Sequence, residues 1–318
     1  MFKNVKPIFL KAISGIHAGA GTDLGLVDLP IQRERHTGLP KIESSGLKGC
    51  IRDAFEQIKG DLPSDDFIDI AFGPEDDGDK HAGSVAFTDA RILLFPVRSA
   101  KGIFAYATCP YVLNRLKEDF ALAGITVSDI VSIIINEMES NKTALVSSDR
   151  LVFPGTGKVV LEEFTFSVAK SDNVAKFAEV IYNWMNLDYS QYIQNNLLIL
   201  NDDDFMDFTK NNTEIITRIR IDNDTGTVAK GALFTEELLP AETVLYSLVM
   251  ASRIFIDKDA REASETVKNS ASDEGKFLLD TLADKMPKYI QIGGDASIGK
   301  GLCRVNVNIG GNYVTGNN

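Results

Sequence analysis

VKPIFLKAI (Val5–Ile13) and SSGLKGCIRDAFEQI (Ser44–Ile58) are the two stretches whose reading decides the fold class. The first reads as a strand. In the second, Ser44-Ser45-Gly46 opens a helix, and Leu47, Cys50, Ile51, Ala54, Phe55 and Ile58 recur at helical spacing to mark one buried face. Lys48 and Arg52 are four apart and lie side by side on another face. Between them runs a Gly-rich stretch from Gly15 to Gly25 and a polar loop to Pro40. Outward from this start, strands are expected at 85–97, 105–109, 243–250, 289–292 and 303–307. Helices are expected from Pro110, from Ser128, over 173–185 and over 274–285. The acidic, Gly/Pro-rich run 60–83 reads as a loop. The polar run 201–230, with turn signals at Asp202-Asp203-Asp204 and Asn223-Asp224-Thr225-Gly226, reads as an inserted arm. Elements mix without a regular βαβ rhythm, so the expected class is α+β rather than a doubly wound sheet.

The chain has 318 residues, 44% hydrophobic and 25% charged, which excludes disordered and fibrous classes and fits one or two domains. No apolar stretch approaches the ~20 residues of a membrane span, and no secretory signal is visible at the N-terminus. The expectation is a cytoplasmic protein. Cys50, Cys109 and Cys303 form no CxxC pair, which argues against a disulfide scaffold or zinc site. The net charge of −12 argues against a nucleic-acid partner at first sight. Its distribution softens that: residues 1–60 carry a net of +3 and the remainder −15.

Several constellations could carry chemistry. Gly294 to Lys300 has the GxxxxGK spacing of a phosphate loop, but Gly301 stands where a Ser or Thr would hold magnesium, and a strand follows instead of a helix. A tight turn between strands, or a glycine loop near a polynucleotide backbone with Lys300 and Arg304 beside it, fits better. Ser45, Gly46 and Lys48 at a helix start could seat a phosphate, or could reflect N-capping by Ser44 or Ser45 with a solvated lysine. Asp28 lies in VDLPIQRER (Val27–Arg35) and could bind a metal ion, help deprotonate a ribose hydroxyl, or pair with Arg33 or Arg35. His17 could contact a phosphate or base, or be a buried polar residue.

The following segments, in this order, resemble one family: HAGAG (17–21), VDLPIQRE (27–34), LPKIESSGLKGCIR (39–52), FTDAR (87–91), FPVRS (95–99), LFTEELLP (233–240) and IGGDASIGKG (292–301). Together they are similar to the RAMP-superfamily backbone subunit of the type III-B CRISPR (Cmr) effector. The resemblance implies a modified ferredoxin-like, RRM-like palm with helical additions and an inserted thumb, here at about 186–245 of a single domain over 1–318. It implies a subunit that stacks with copies of itself and other Cmr subunits along a guide CRISPR RNA. It also implies cleavage of the paired single-stranded target RNA at regular intervals, with a divalent metal, Mg2+ or Mn2+. Asp28 matches the essential aspartate and the metal position, while His17 and Glu236 match positions near the cleavage point. Leu238 stands where relatives often carry an aromatic residue. Arg33, Arg35, Ser45, Gly46, Lys48, Arg52, Gly294, Lys300 and Arg304 are the expected RNA contacts, and no membrane partner is expected. A non-catalytic RNA-binding scaffold, with Asp28 as an ion-pair partner, is the alternative. A guide-processing endoribonuclease acting without a complementary target is a third reading.

Overall fold

The computed structural model describes residues 3–75, 81–141, 143–185 and 191–307. In chain order the first elements are β1 (Asn4–Ala12), β2 (Lys41–Ile42), α1 (Ser44–Glu56), α2 (Phe67–Phe72), β3 (Val85–Phe87), β4 (Ala90–Arg98), β5 (Phe104–Thr108), α3 (Pro110–Leu122) and α4 (Ser128–Asn141). There follow β6 (Ala144–Val146), β7 (Lys158–Leu161), β8 (Phe164–Lys170), α5 (Asp172–Met185), α6 (Gln191–Asn196), β9 (Leu197–Ile199) and α7 (Asp202–Asn211). The last are β10 (Glu214–Ile221), β11 (Val228–Leu238), β12 (Val244–Ala251), α8 (Lys258–Ala263), α9 (Glu265–Asn269), α10 (Glu274–Lys285), β13 (Tyr289–Gln291) and β14 (Leu302–Val307).

The expected α+β class holds, and its centre is a ferredoxin-like palm. The main sheet runs β13-β14-β1-β12-β4 before continuing through β5, β9, β6, β8 and β7. β1 pairs antiparallel with β12 and β14, and β12 pairs antiparallel with β4. Counting β1, β4, β12 and β14 as four palm strands gives the order 4-1-3-2, with α1 following the first and α10 following the third. Everything from β5 to β11 is inserted between the second and third.

The palm is closed by aromatic packing from that insertion. Phe9 on β1 lies opposite Tyr246 on β12, so both rings share one face. Phe9 stacks on Trp184 of α5 at 5.5 Å, and Phe120 of α3 meets Trp184 at 5.0 Å and Tyr246 at 6.0 Å. All four are fully buried, which contributes roughly 1.5–3 kcal/mol per large apolar side chain.

Three expectations change in detail. The run 60–83, read as a loop, carries the helix α2; it packs Phe67 and Phe72 on Phe55 of α1, and 76–80 lie outside the described residues. The strand expected at 85–97 is two strands, broken at Thr88-Asp89. In the stretch expected as the insert, 186–190 lie outside the described residues; β9 is part of the main sheet, and β10 and β11 form a separate two-stranded sheet. Among the described residues no helix is long and apolar enough to cross a membrane.

Candidate functional site

β11 organises the site, because successive side chains of a strand point to opposite sides. Thr235 and Glu237 share one side and Glu236 takes the other. Segment 16–31 runs beside this strand. Ile16 and Leu239 exchange two backbone bonds of 2.9 Å, the Leu29 N–H donates to the Thr235 carbonyl at 3.0 Å, and the Glu237 N–H donates to the Leu29 carbonyl at 2.9 Å.

This pairing brings Asp28 onto Thr235. The Thr235 N–H and hydroxyl both donate to Asp28 Oδ2, at 2.7 and 2.9 Å, and the Asp28 N–H donates to the Thr235 hydroxyl at 3.0 Å. The backbone bond from Thr235, followed by that from its hydroxyl, holds the Asp28 carboxyl below the usual carboxylate range. Asp28 itself is exposed. The alternative in which Asp28 pairs with Arg33 does not occur: Arg33 Nη2 donates to Glu237 Oε1 at 2.6 Å, and Nη1 to the carbonyls of Gly38 and Thr209 at 2.9 and 3.1 Å. Arg35 is exposed.

On the other side of β11, Glu236 is buried. Arg218 on β10 puts Nε 2.6 Å from Glu236 Oε2 and pairs through Nη2 with Asp295. His17 Nδ1 donates to the Glu237 carbonyl at 2.8 Å, which puts a proton on Nδ1, and Nε2 faces Glu236 Oε1 at 3.6 Å. Burial raises the pKa of Glu236, and a hydrogen bond with the Asp295 carboxyl raises it further against the opposing pull of His17 and Arg218. The pKa values of the two carboxyls therefore move in opposite directions, Asp28 downward on one side of the strand and Glu236 upward on the other. Leu238, next along, is fully buried.

The glycine loop at 293–301 is a strand connection pressed against His17. Gly294 N–H donates to the His17 carbonyl at 2.9 Å and Gly301 N–H to the Gly15 carbonyl at 2.8 Å. Gly293 has φ 81°, and a Cβ there would stand 2.2 Å from the His17 oxygen, so glycine is required by space as well as by backbone. Those two N–H groups are thus engaged within the protein, contrary to the expectation that they approach a polynucleotide. Lys300 is half-buried in this loop, and Arg304 is half-buried on β14.

The start of α1 is also built differently from the expected serine cap. Glu43 holds the capping position without a side-chain bond, and Asp89, from the break between β3 and β4, accepts from Ser44 N–H at 2.9 Å. Lys41 steadies Asp89 at 2.9 Å. Ser45 and Gly46 stay exposed, and Lys48 is half-buried, with burial and then Arg52 lowering its pKa. Arg52, an expected RNA contact, is turned inward to the Gly73 carbonyl, Asp69 at 3.2 Å and Glu56 at 3.6 Å.

Sequence reading missed Thr235, Glu237, Arg218 and Asp295. Thr235 and Glu237 flank Glu236, so strand alternation alone would have pointed to them. It also missed the pair Glu34–Arg115, 2.6 Å apart with side chains 9% and 11% exposed. Removing one partner of such a buried pair costs roughly 3–5 kcal/mol. Among the described residues no group of three or more His, Cys, Asp or Glu is arranged to hold a metal ion.

Known proteins resemble this chain over nearly its whole length. "CRISPR system Cmr endoribonuclease Cmr4" of Pyrococcus furiosus is 36% identical over 300 residues, 93% of each chain. "CRISPR system CMR subunit Cmr4" of Saccharolobus solfataricus is 25% identical over 321 residues, 94% of each. The crystal structure of oligomeric Cmr4 from Pyrococcus furiosus superposes with a TM-score of 0.68 at 30% identity, covering 96% of this chain and 98% of that one. A chain of the type III-B Cmr-beta complex bound to cognate target RNA gives 0.71 at 22% identity, covering 96% and 98%, and shares the fold. With the RAMP superfamily model also matching residues 9–304, the chain belongs to the RAMP superfamily and, within it, to the family of Cmr subunits that these relatives represent.

Proposed function

We propose that this chain is a guide-RNA-binding filament subunit of a type III-B CRISPR effector, and that it cuts complementary target RNA at regular intervals with Asp28 as the essential residue. The observation that carries the reading is the exposed Asp28 carboxylate, pinned and kept ionised by Thr235 instead of by a cation. The Pyrococcus furiosus relative, itself named a Cmr endoribonuclease, supports the same activity here. The scaffold alternative makes Asp28 an ion-pair partner of Arg33 or Arg35, and the pairing of Arg33 with Glu237 weighs against the first of these.

The reaction suited to this site is attack of the target's 2′-oxygen on the adjacent phosphorus, with the bond from phosphorus to the 5′-oxygen breaking. The 2′-hydroxyl proton must leave and the 5′-oxygen must gain one. Asp28, ionised at neutral pH, serves the first need, directly or by ordering the ribose. Glu236, whose pKa is raised by burial and which has His17 Nε2 beside it, is the candidate for the second. Both Thr235 bonds fall on Oδ2, so Asp28 Oδ1 is the atom that would hold a divalent ion, Mg2+ or Mn2+. Mg2+ commonly keeps several waters and takes its other ligands from phosphate. When bound, such an ion would neutralise charge developing at the scissile phosphate.

Guide contacts are proposed at Arg35, Ser45, Gly46, Lys48 and Lys300, whereas the Gly294 N–H is taken by the His17 carbonyl and Arg304 is engaged within the protein. Arg33 and Arg52 are left out, because their guanidinium groups already have protein partners. Lys48→Ala is expected to weaken guide binding and to reduce the salt slope of log K by about 1. An unchanged slope would remove Lys48 from the interface.

The deciding experiment reconstitutes the complex with guide and labelled complementary RNA, with magnesium or chelator, comparing wild type with Asp28→Asn. Regular metal-dependent cuts that vanish in the variant while target binding persists would establish the proposal. Cuts that persist would leave a scaffold. Cutting of repeat RNA without any complementary target would instead mark a guide-processing enzyme.

A further inference from the structure

We propose that Glu237, acting through Arg33 and the Ile31 backbone, is the positioning residue that sets Asp28 in its working place; this rests on the nuclease reading above. Glu237 is buried, and its carboxylate gathers three donors from two parts of the chain. Oε2 accepts from the Ile31 N–H at 3.0 Å, and Oε1 accepts from Arg33 Nη2 at 2.6 Å and from the Thr213 hydroxyl at 2.7 Å. Two of the three donors belong to the loop that carries Asp28. The Glu237 N–H adds a fourth bond, to the Leu29 carbonyl at 2.9 Å.

Residues 28 to 33 are thereby fastened to β11 at consecutive points. Asp28 and Leu29 sit on Thr235, while Leu29, Ile31 and Arg33 sit on Glu237. Immediately after Arg33, the Glu34–Arg115 pair ties the loop to α3 on its other side. Arg33 also reaches the Gly38 and Thr209 carbonyls, so its guanidinium closes the loop on itself and on α7.

The side chain of Asp28 makes no direct contact with this clamp. Thr235 holds the carboxylate, and it can do so only while the loop's path beside β11 is fixed. A site off by about 1 Å can lose roughly 10²-fold in rate. Glu237 and Arg33 therefore govern catalytic geometry while leaving the RNA-facing surface unaltered. Arg33 in this role is part of the internal frame, not a guide contact.

The test uses the complete complex with bound guide and compares Glu237→Gln, Arg33→Lys, Thr213→Val and Asp28→Asn. Single-turnover cleavage at saturating target is measured beside target affinity and its salt dependence. Glu237→Gln and Arg33→Lys are expected to cut at least tenfold more slowly, with affinity and salt slope at wild-type values. Thr213→Val removes only the bond from outside the loop and should cut at the wild-type rate. A wild-type rate in Glu237→Gln overturns the inference. If Glu237→Gln does not assemble, Arg33→Lys decides alone: a lower affinity and a shallower salt slope at an unchanged saturated rate would make Arg33 an RNA contact and overturn it. Asp28→Asn separates the two levels, since undiminished cutting there defeats the nuclease reading itself.

Discussion

Asp28 and Glu236 lie against β11 at neighbouring positions, one on each side of the strand, and their surroundings differ in every respect that matters to a proton. Asp28 is exposed and receives two hydrogen bonds from Thr235. Its charged form is favoured by donors placed at the oxygen that bears the charge. Glu236 is buried beside Asp295, and although Arg218 reaches both acids, burial and the neighbouring carboxyl dominate. Two side chains of the same chemistry acquire opposite tendencies because strand alternation sends one contact residue toward a solvent-facing loop and the next into the interior. Hydrogen-bond donors come first here, since the backbone and hydroxyl bonds from Thr235 are the largest influences on Asp28.

The contrast can be broken most severely at Asp28. Asp28→Asn keeps the size of the side chain but removes the charge, and cleavage should fall by roughly 10²–10⁴-fold with target binding retained, as gel-resolved cutting beside a filter-binding assay would show. Glu236→Gln should have the next largest effect, a rate loss near the lower end of that same range, about 10²-fold. Because burial raises the pKa of Glu236, its proton is present at low pH and is lost as pH rises through the raised value. The wild-type rate should therefore decline on the alkaline side of that value, and Glu236→Gln should lack this limb; the same limb in both proteins would remove Glu236 from proton delivery. The smallest effect is expected for Thr235→Val, which loses the hydroxyl bond and keeps the backbone bond. Asp28 is ionised above its lowered pKa and loses its charge as pH falls through it, so Thr235→Val should move the acid limb of the rate profile to higher pH. A pH series on the variant that overlays wild type would show that the hydroxyl does not tune Asp28.

Much of the palm is legible because its helices are amphipathic and long. The apolar spacing that marks α1 buries Leu47, Ile51, Ala54 and Phe55, and Val174, Phe177, Ile181 and Trp184 of α5 are likewise buried. α2 escapes the same reading because six residues give under two helical turns, set among acidic and Pro/Gly residues. The 201–230 run shows its turn at Asn223-Asp224-Thr225-Gly226 but hides its strands, since β10 has no buried position, only Ile216 and Arg218 being half-buried. At the site, local chemistry marks Asp28 and His17 as candidates with several readings open, and only the family resemblance singles out Glu236 and gives the three a shared role. The partner of Arg33 was not legible at all: Glu237 lies 204 residues away, and nothing local marks a loop arginine as a clamp instead of a solvated charge.

The register of the β10–β11 arm carries a consequence for how such a protein can be re-engineered or can drift. Pairing is regular from Glu214 opposite Leu238 to Ile219 opposite Leu233, shifts between Ile219 and Ile221, and ends at a turn over 222–227. Beyond the shift, the arm's reach is decoupled from the chemistry at its root. Residues added near the turn would lengthen the projecting tip while leaving Thr235, Glu236 and Glu237 facing as they do. One residue added between Leu233 and Thr235 would exchange their sides, presenting an acid to Asp28 and a hydroxyl to Arg218. Length variation in this arm should therefore be tolerated at its tip and forbidden at its base.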